Sequence, residues 1–214
     1  MTGRRLVAIV PVVCAVLLAG AMPVAQGAER ALPETVVVHD GRTSAPVVDI
    51  SQVRLEASWY WDSEQSVRVK VPNGFQPGHR LTVWFDVNGD SAPDGHFELV
   101  LRKPKHAGGQ LLQKAQEFRR GGGWGHSGTR VACTASEGGP PVFDQIRRGK
   151  RSVGIYLDLW WCLGVPSPVG TDAGAWRVAI GLAKGRHEDM PPNHRGWSKP
   201  VAGWGPCDPS GGQC

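Results

Sequence analysis

Apolar and polar residues alternate with a period of two along much of this chain, and that period suits a pleated strand rather than a helix. Val67, Val69 and Val71 alternate with Arg68 and Lys70; Leu81, Val83 and Phe85 with Thr82, Trp84 and Asp86; Phe97, Leu99 and Leu101 with Glu98, Val100 and Arg102. Val153, Ile155, Leu157 and Leu159 form a further set, as do Trp176, Val178, Ile180 and Leu182. Weaker runs lie at 35–39, 50–58, 110–118 and 129–134. Gly and Pro clusters punctuate them, at Pro72-Asn73-Gly74, Gly121-Gly122-Gly123 and elsewhere. Short strands with turns between them, each wet on one face, predict an all-β fold: a single antiparallel β-sandwich of about nine strands. A closed barrel is the alternative. Helical periodicity is sparse; one short turn is expected over Pro141–Arg148.

The first ~27 residues read as a cleavable secretory signal. Arg4 and Arg5 form the positive end, residues 6–22 the apolar run, and Ala25-Gln26-Gly27 a small-residue cleavage site. An apolar run of about 17 residues is barely long enough to span a bilayer, and no later stretch is longer. The expectation is therefore a secreted, extracellular chain with no membrane span. Residues 28–45 are expected as a leader and first edge segment, 46–184 as the sandwich, and 185–214 as an irregular Gly/Pro/Trp-rich tail.

Removing residues 1–27 takes two arginines from the 24 Lys+Arg and leaves 22 against 19 Asp+Glu, a net charge of +3. That balance gives no argument for nucleic-acid binding. Four cysteines remain in the exported part, Cys133, Cys162, Cys207 and Cys214, an even number suited to disulfides. Three pairings are open. Cys133 with Cys162 and Cys207 with Cys214 is preferred, and the second bridge would staple the tail.

The segment Asp86-Val87-Asn88-Gly89-Asp90-Ser91-Ala92-Pro93-Asp94-Gly95 joins two marked strands. Asp86, Asn88, Asp90 and Asp94 offer oxygen ligands at relative positions 1, 3, 5 and 9, as a structural Ca²⁺ loop would. The glycine falls at position 4 and the flanks are strands, so the loop is no EF-hand. Asp, Asn and Gly are also ordinary turn residues, and a polar turn is the competing reading.

Nine tryptophans are many for this length. Trp59, Trp161 and Trp176 are expected to pack the core. Trp59 and Trp61, which share a face if 58–61 is extended, and Trp197 and Trp204, in Gly-rich segments with Trp124, are candidates for a platform that stacks on sugar rings. Basic clusters at Arg102-Lys103-Pro104-Lys105-His106 and Arg147-Arg148-Gly149-Lys150-Arg151 are expected as solvated loops, with contact to anionic cell-wall polymers as the alternative.

No catalytic set emerges. Gly125-His126-Ser127-Gly128-Thr129 lacks the final glycine of a G-x-S-x-G turn. His187, Glu188, Asp189 and His194 match no helical metal motif, and Pro191-Pro192 would break a helix there.

Val48-Asp49-Ile50, the Phe85-Asp86-Val87-Asn88 hairpin with Pro93-Asp94, Cys133, and the strand ending in Cys162-Leu163-Gly164-Val165-Pro166 together resemble exported β-sandwich proteins of unknown function from high-GC Gram-positive bacteria. The resemblance covers about residues 47–182. It implies a sandwich with a Cys133–Cys162 bridge and brings no established activity; Trp160-Trp161 before the cysteine departs from the pattern. The sequence thus points to a secreted, non-enzymatic binding or structural protein, calcium-stabilised in one reading. It is expected to be monomeric, with cell-wall or extracellular polysaccharide as its partner. A carbohydrate-binding module using exposed tryptophans is the alternative, and a secreted hydrolase with a loop-assembled site is the third reading.

Overall fold

Each strongly alternating run folds as a strand with its apolar side chains on one face. The computed structural model describes residues 32–40, 45–57, 65–106, 108–132, 142–143, 145–165, 174–190 and 196–203. The strands are β1 (Thr35–His39), β2 (Gln52–Glu56), β3 (Gln65–Lys70), β4 (Arg80–Asp86), β5 (Gly95–Arg102) and β6 (Gln113–Arg120). They continue with β7 (Thr129–Val131), β8 (Val142–Phe143), β9 (Ser152–Leu157), β10 (Ala175–Lys184), β11 (His187–Asp189) and β12 (Val201–Ala202). All pairings are antiparallel, in a five-stranded sheet ordered β1-β2-β3-β9-β8 and a seven-stranded sheet ordered β11-β10-β4-β5-β6-β7, with β12 added alongside β10.

The inward residues of both sheets form one apolar cluster. Val67, Val69, Val153 and Ile155 come from one sheet, and Val83, Phe85, Phe97, Leu99, Val178 and Ile180 from the other. Burying each such side chain contributes roughly 1.5–3 kcal/mol, so a sheet slipped by one residue would lose most of its drive to pack. Trp176 is fully buried, as expected, and its indole N–H donates to the Ala202 carbonyl at 3.0 Å.

Three local expectations are corrected. The strand before Cys162 ends at Leu157, and Leu159–Leu163 form one helical turn, α1. Asp158 caps it by accepting from the Trp161 amide, and Gly164 ends it in the left-handed region at φ 66°. The helical rotation sends Trp160 inward and leaves Trp161, expected in the core, 65% exposed. The described residues of 141–148 form no helix: Val142–Phe143 pairs with β9, and Leu111 bridges Arg147. The expected irregular tail contributes β11 and β12 to the seven-stranded sheet. Cys162 is fully buried and disulfide-bonded. Every other cysteine, including Cys207 and Cys214 of the expected tail staple, lies outside the described residues.

Ile50 sits beneath β11, where its amide donates to Asp189 Oδ2 at 2.7 Å. Burial, and then the nearby carboxylates of Asp40 and Asp49, raise the Asp189 pKa to about 6, against the opposing pull of the Ile50 amide. A carboxyl whose folded-state pKa is raised binds its proton more tightly when folded. Its stabilising share is complete below the ordinary value near 3.8 and is lost as pH rises through about 6. Asp189→Asn keeps an acceptor for Ile50 and removes the ionisation. The variant should melt above the parent at pH 7.5, with the gain shrinking toward pH 4; an equal shift at both pH values would contradict the assignment.

Candidate functional site

With Leu81, Val83 and Phe85 turned into the core, β4 turns Thr82, Trp84 and Asp86 to the opposite face of the seven-stranded sheet. Cross-strand register extends that face into two rows. Ala179, Trp84, His96, Arg119 and Arg130 align across β10, β4, β5, β6 and β7. Gly181, Thr82, Glu98 and Glu117 align beside them. An outer sheet face is ordinarily wet, but here Trp84, Ala179 and Met190 are buried under a cover of Trp124 and Trp197.

The cover is aromatic. Trp84 and Trp124 lie 5.7 Å apart between ring centroids, and Trp124 and Trp197 lie 5.0 Å apart, both tilted. Small residues on β10 make room: a Cβ on Gly181 would come within 3.1 Å of the Trp84 ring and 3.4 Å of Glu188 Oε1. Trp124 and His126 ride the loop after β6. Gly121, Gly122 and Gly123 take positive φ there, and Arg119 fastens the loop by donating to the Gly128 carbonyl at 3.1 Å.

A charged border surrounds the rings. His126 Nδ1 lies 2.8 Å from Glu98 Oε2, and Arg80 approaches Glu98 from the other side. Glu117 pairs with Arg119 and Arg130. His96 is buried between these groups, its ring edge-on to His126 at 6.2 Å. Burial lowers the His96 pKa, and His126 adds to that effect. Two buried groups at the base, Trp84 Nε1 and His96 Nδ1, have no hydrogen-bond partner among the described residues.

The acidic hairpin forms the other border, and its oxygens are engaged within the fold. Asp86 Oδ1 accepts from the amides of Asn88 and Gly89, and its Oδ2 from the Ser91 amide. Arg177 donates Nε and Nη2 to that same Oδ2 at 2.8 and 2.6 Å. Asp94 accepts from the Val87 amide and the Asn88 side chain; Asn88 Oδ1 accepts from the Asp90 amide, and Asp90 from Ala92. Burial raises the Asp94 pKa. Among the described residues, no three His, Cys, Asp or Glu side chains are grouped as a cation would need. The residues read as a calcium loop thus form nested side-chain-to-backbone turns. Their arginine also reaches Trp197: the guanidinium lies 5.4 Å from its ring centre, and the indole N–H donates to the Ser91 carbonyl at 3.1 Å.

Of the predicted platform, the structure places Trp197 in this cluster, while Trp59, Trp61 and Trp204 lie outside the described residues. Sequence reasoning missed Trp84, His96, Glu98 and Arg177 as parts of it. The available signal was Trp84 itself, a large aromatic on the face that its own alternation marks as wet.

No helix among the described residues is long and apolar enough to cross a membrane. Comparison with known proteins finds no matching family, no matching curated protein and no matching solved structure.

Asp86→Asn removes the charge that holds Arg177 while keeping the side chain's shape. Breaking a buried ion pair costs on the order of 3 kcal/mol. Arg177 retains Ser91 Oγ and the Gly89 carbonyl as partners, so the loss should fall toward the lower side of that figure. Urea unfolding should show it at unchanged m, with altered Trp197 fluorescence; a variant equal to the parent in both would mean the pair does not organise the hairpin.

Proposed function

We propose that the chain is a secreted, non-enzymatic glycan-binding protein, and that the outer face of the seven-stranded sheet is its binding surface. The observation that carries this reading is the half-buried Trp124–Trp197 pair, seated on buried Trp84 and bordered by His126, Glu98 and Arg177. Sugar rings present apolar C–H faces and a rim of hydroxyls. Indole faces suit the first, and hydrogen-bonding groups held by their own ion pairs suit the second. A core-packing role accounts poorly for these rings, because they lie on the sheet face away from the main core.

The leader-like first 27 residues and the disulfide at Cys162 support export. We assign Cys133 as the partner of Cys162. Peptide mapping of the unreduced protein should recover these two cysteines linked; Cys162 joined to Cys207 or Cys214 would overturn the assignment.

Binding is tested by pull-down of the purified protein on insoluble cellulose, chitin and bacterial cell-wall glycan. The protein should sediment with at least one of them. Trp124→Ala and Trp197→Ala should each weaken that binding by about tenfold, the usual scale for a contact residue at a hot spot. Far-UV circular dichroism should show the sandwich intact. Undiminished sedimentation of the double variant would remove this surface from the function.

A further inference from the structure

A second surface lies at the end of the sandwich where β3, β5 and β9 meet their loops, and it has a different chemistry. The basic clusters at 102–106 and 147–151 are 41 residues apart at their near ends in the chain, yet they flank one turn in the fold. The turn after β3 is bonded to β5 on one side: the Gly78 amide donates to the Leu101 carbonyl, and the Leu101 amide to His79. On its other side the Phe75 amide donates to Lys150, and the Gly149 amide to Phe75. Arg148 closes the junction, donating its amide to the Gln110 carbonyl and Nε to Gln76 Oε1 at 3.3 Å.

The segments that meet here contain no acid. Residues 66–79, 99–116 and 145–157 carry no Asp or Glu. Arg102, Lys103, Lys105, Arg147 and Arg151 are exposed and have no carboxylate partner among the described residues. The carboxylates of Asp40 and Asp49 lie near Asp189 of β11, whose pKa they raise. On the outer faces of the sheets, Arg54 pairs with Glu56, Arg80 with Glu98, and Arg130 with Glu117. Backbone hydrogen bonds set the two loops on either side of that turn before any ligand arrives.

We propose that this end is a binding site for a linear polyanion, a polymer with repeated sulfate, phosphate or carboxylate groups, separate from the aromatic surface. Cations carried on two backbone-bonded loops can meet successive charges of an extended chain, and salt should weaken the contact. The site does not rest on the glycan reading, because it uses none of the tryptophans.

The test measures binding of the full protein to fluorescein-labelled heparin, polyphosphate and polygalacturonate at low salt, by anisotropy. At least one probe should bind, with affinity falling as salt rises, and its identity tells which anion is preferred. Arg102→Gln with Lys103→Gln and Lys105→Gln, and separately Arg147→Gln with Arg148→Gln and Arg151→Gln, should each lose about tenfold, the scale expected when a few cation–anion contacts go. A control that removes the same charge elsewhere, Arg54→Gln with Arg130→Gln and Lys199→Gln, should lose less than about twofold. Trp124→Ala with Trp197→Ala should bind the polyanion as the parent does, which separates this result from the glycan assay. If a loop variant does not fold, acetylation footprinting of the parent replaces it: the probe should protect Lys103 and Lys105. An equal loss in the control, no binding by any probe, or unprotected lysines would overturn the proposal.

Discussion

The buried carboxylate of Asp86 organises the outer half of this molecule. It is the last residue of β4, it is 1% exposed, and three amides and the Arg177 guanidinium converge on its two oxygens. An isolated buried carboxylate would be strongly unfavourable, and this one persists because its hydrogen bonds and its counter-charge replace water. In doing so it fixes the path of residues 87–91, including Ser91 in the left-handed region at φ 70°. The Ser91 carbonyl then receives the Trp197 indole, and Arg177 stacks over the same ring. One ion pair thus connects a hairpin, the long strand β10 and the aromatic cover.

How much could be read from the sequence follows from how local each signal is. The period of two belongs to single strands, and it located β3, β4, β5, β9 and β10 to within a few residues. The helical turn α1 was invisible to it, because Leu157 and Leu159 keep the alternation going while Asp158 and Gly164 supply cap chemistry. β6 gave a weak signal since Phe118 is its one fully buried side chain. β11 and β12 were missed because strands of three and two residues carry no period at all; they exist through pairing with β10. Tertiary partners decided those segments, and no window of sequence contains them.

The sites show the same division. The hairpin was legible as a special turn, since its Asp, Asn and Gly chemistry is contained within ten residues. Its counter-ion was not, because Arg177 lies 91 residues away from Asp86. Trp197 was legible as a candidate, but the cluster that makes it a surface depends on strand register: Trp84 meets Ala179 on one side and His96 on the other. The two basic loops were visible as charge runs, and only the turn between them turns two runs into one face.

The aromatic cluster also bears on what the outer face is for. Trp84 Nε1 and His96 Nδ1 are buried at its base without partners among the described residues, and an unsatisfied buried polar group costs roughly 1–3 kcal/mol. Leucine or phenylalanine at these positions would fill similar space without that cost. The main core between the sheets follows that economy, with valine, leucine, isoleucine and phenylalanine at most of its buried positions. Stability alone therefore favours a different composition at positions 84 and 96, and the cover above them is composed of one tryptophan pair and one histidine rather than aliphatic side chains. The face thus keeps indole and imidazole where the main core keeps aliphatic side chains, and the Asp86–Arg177 and Glu98–His126 pairs fix the border around them.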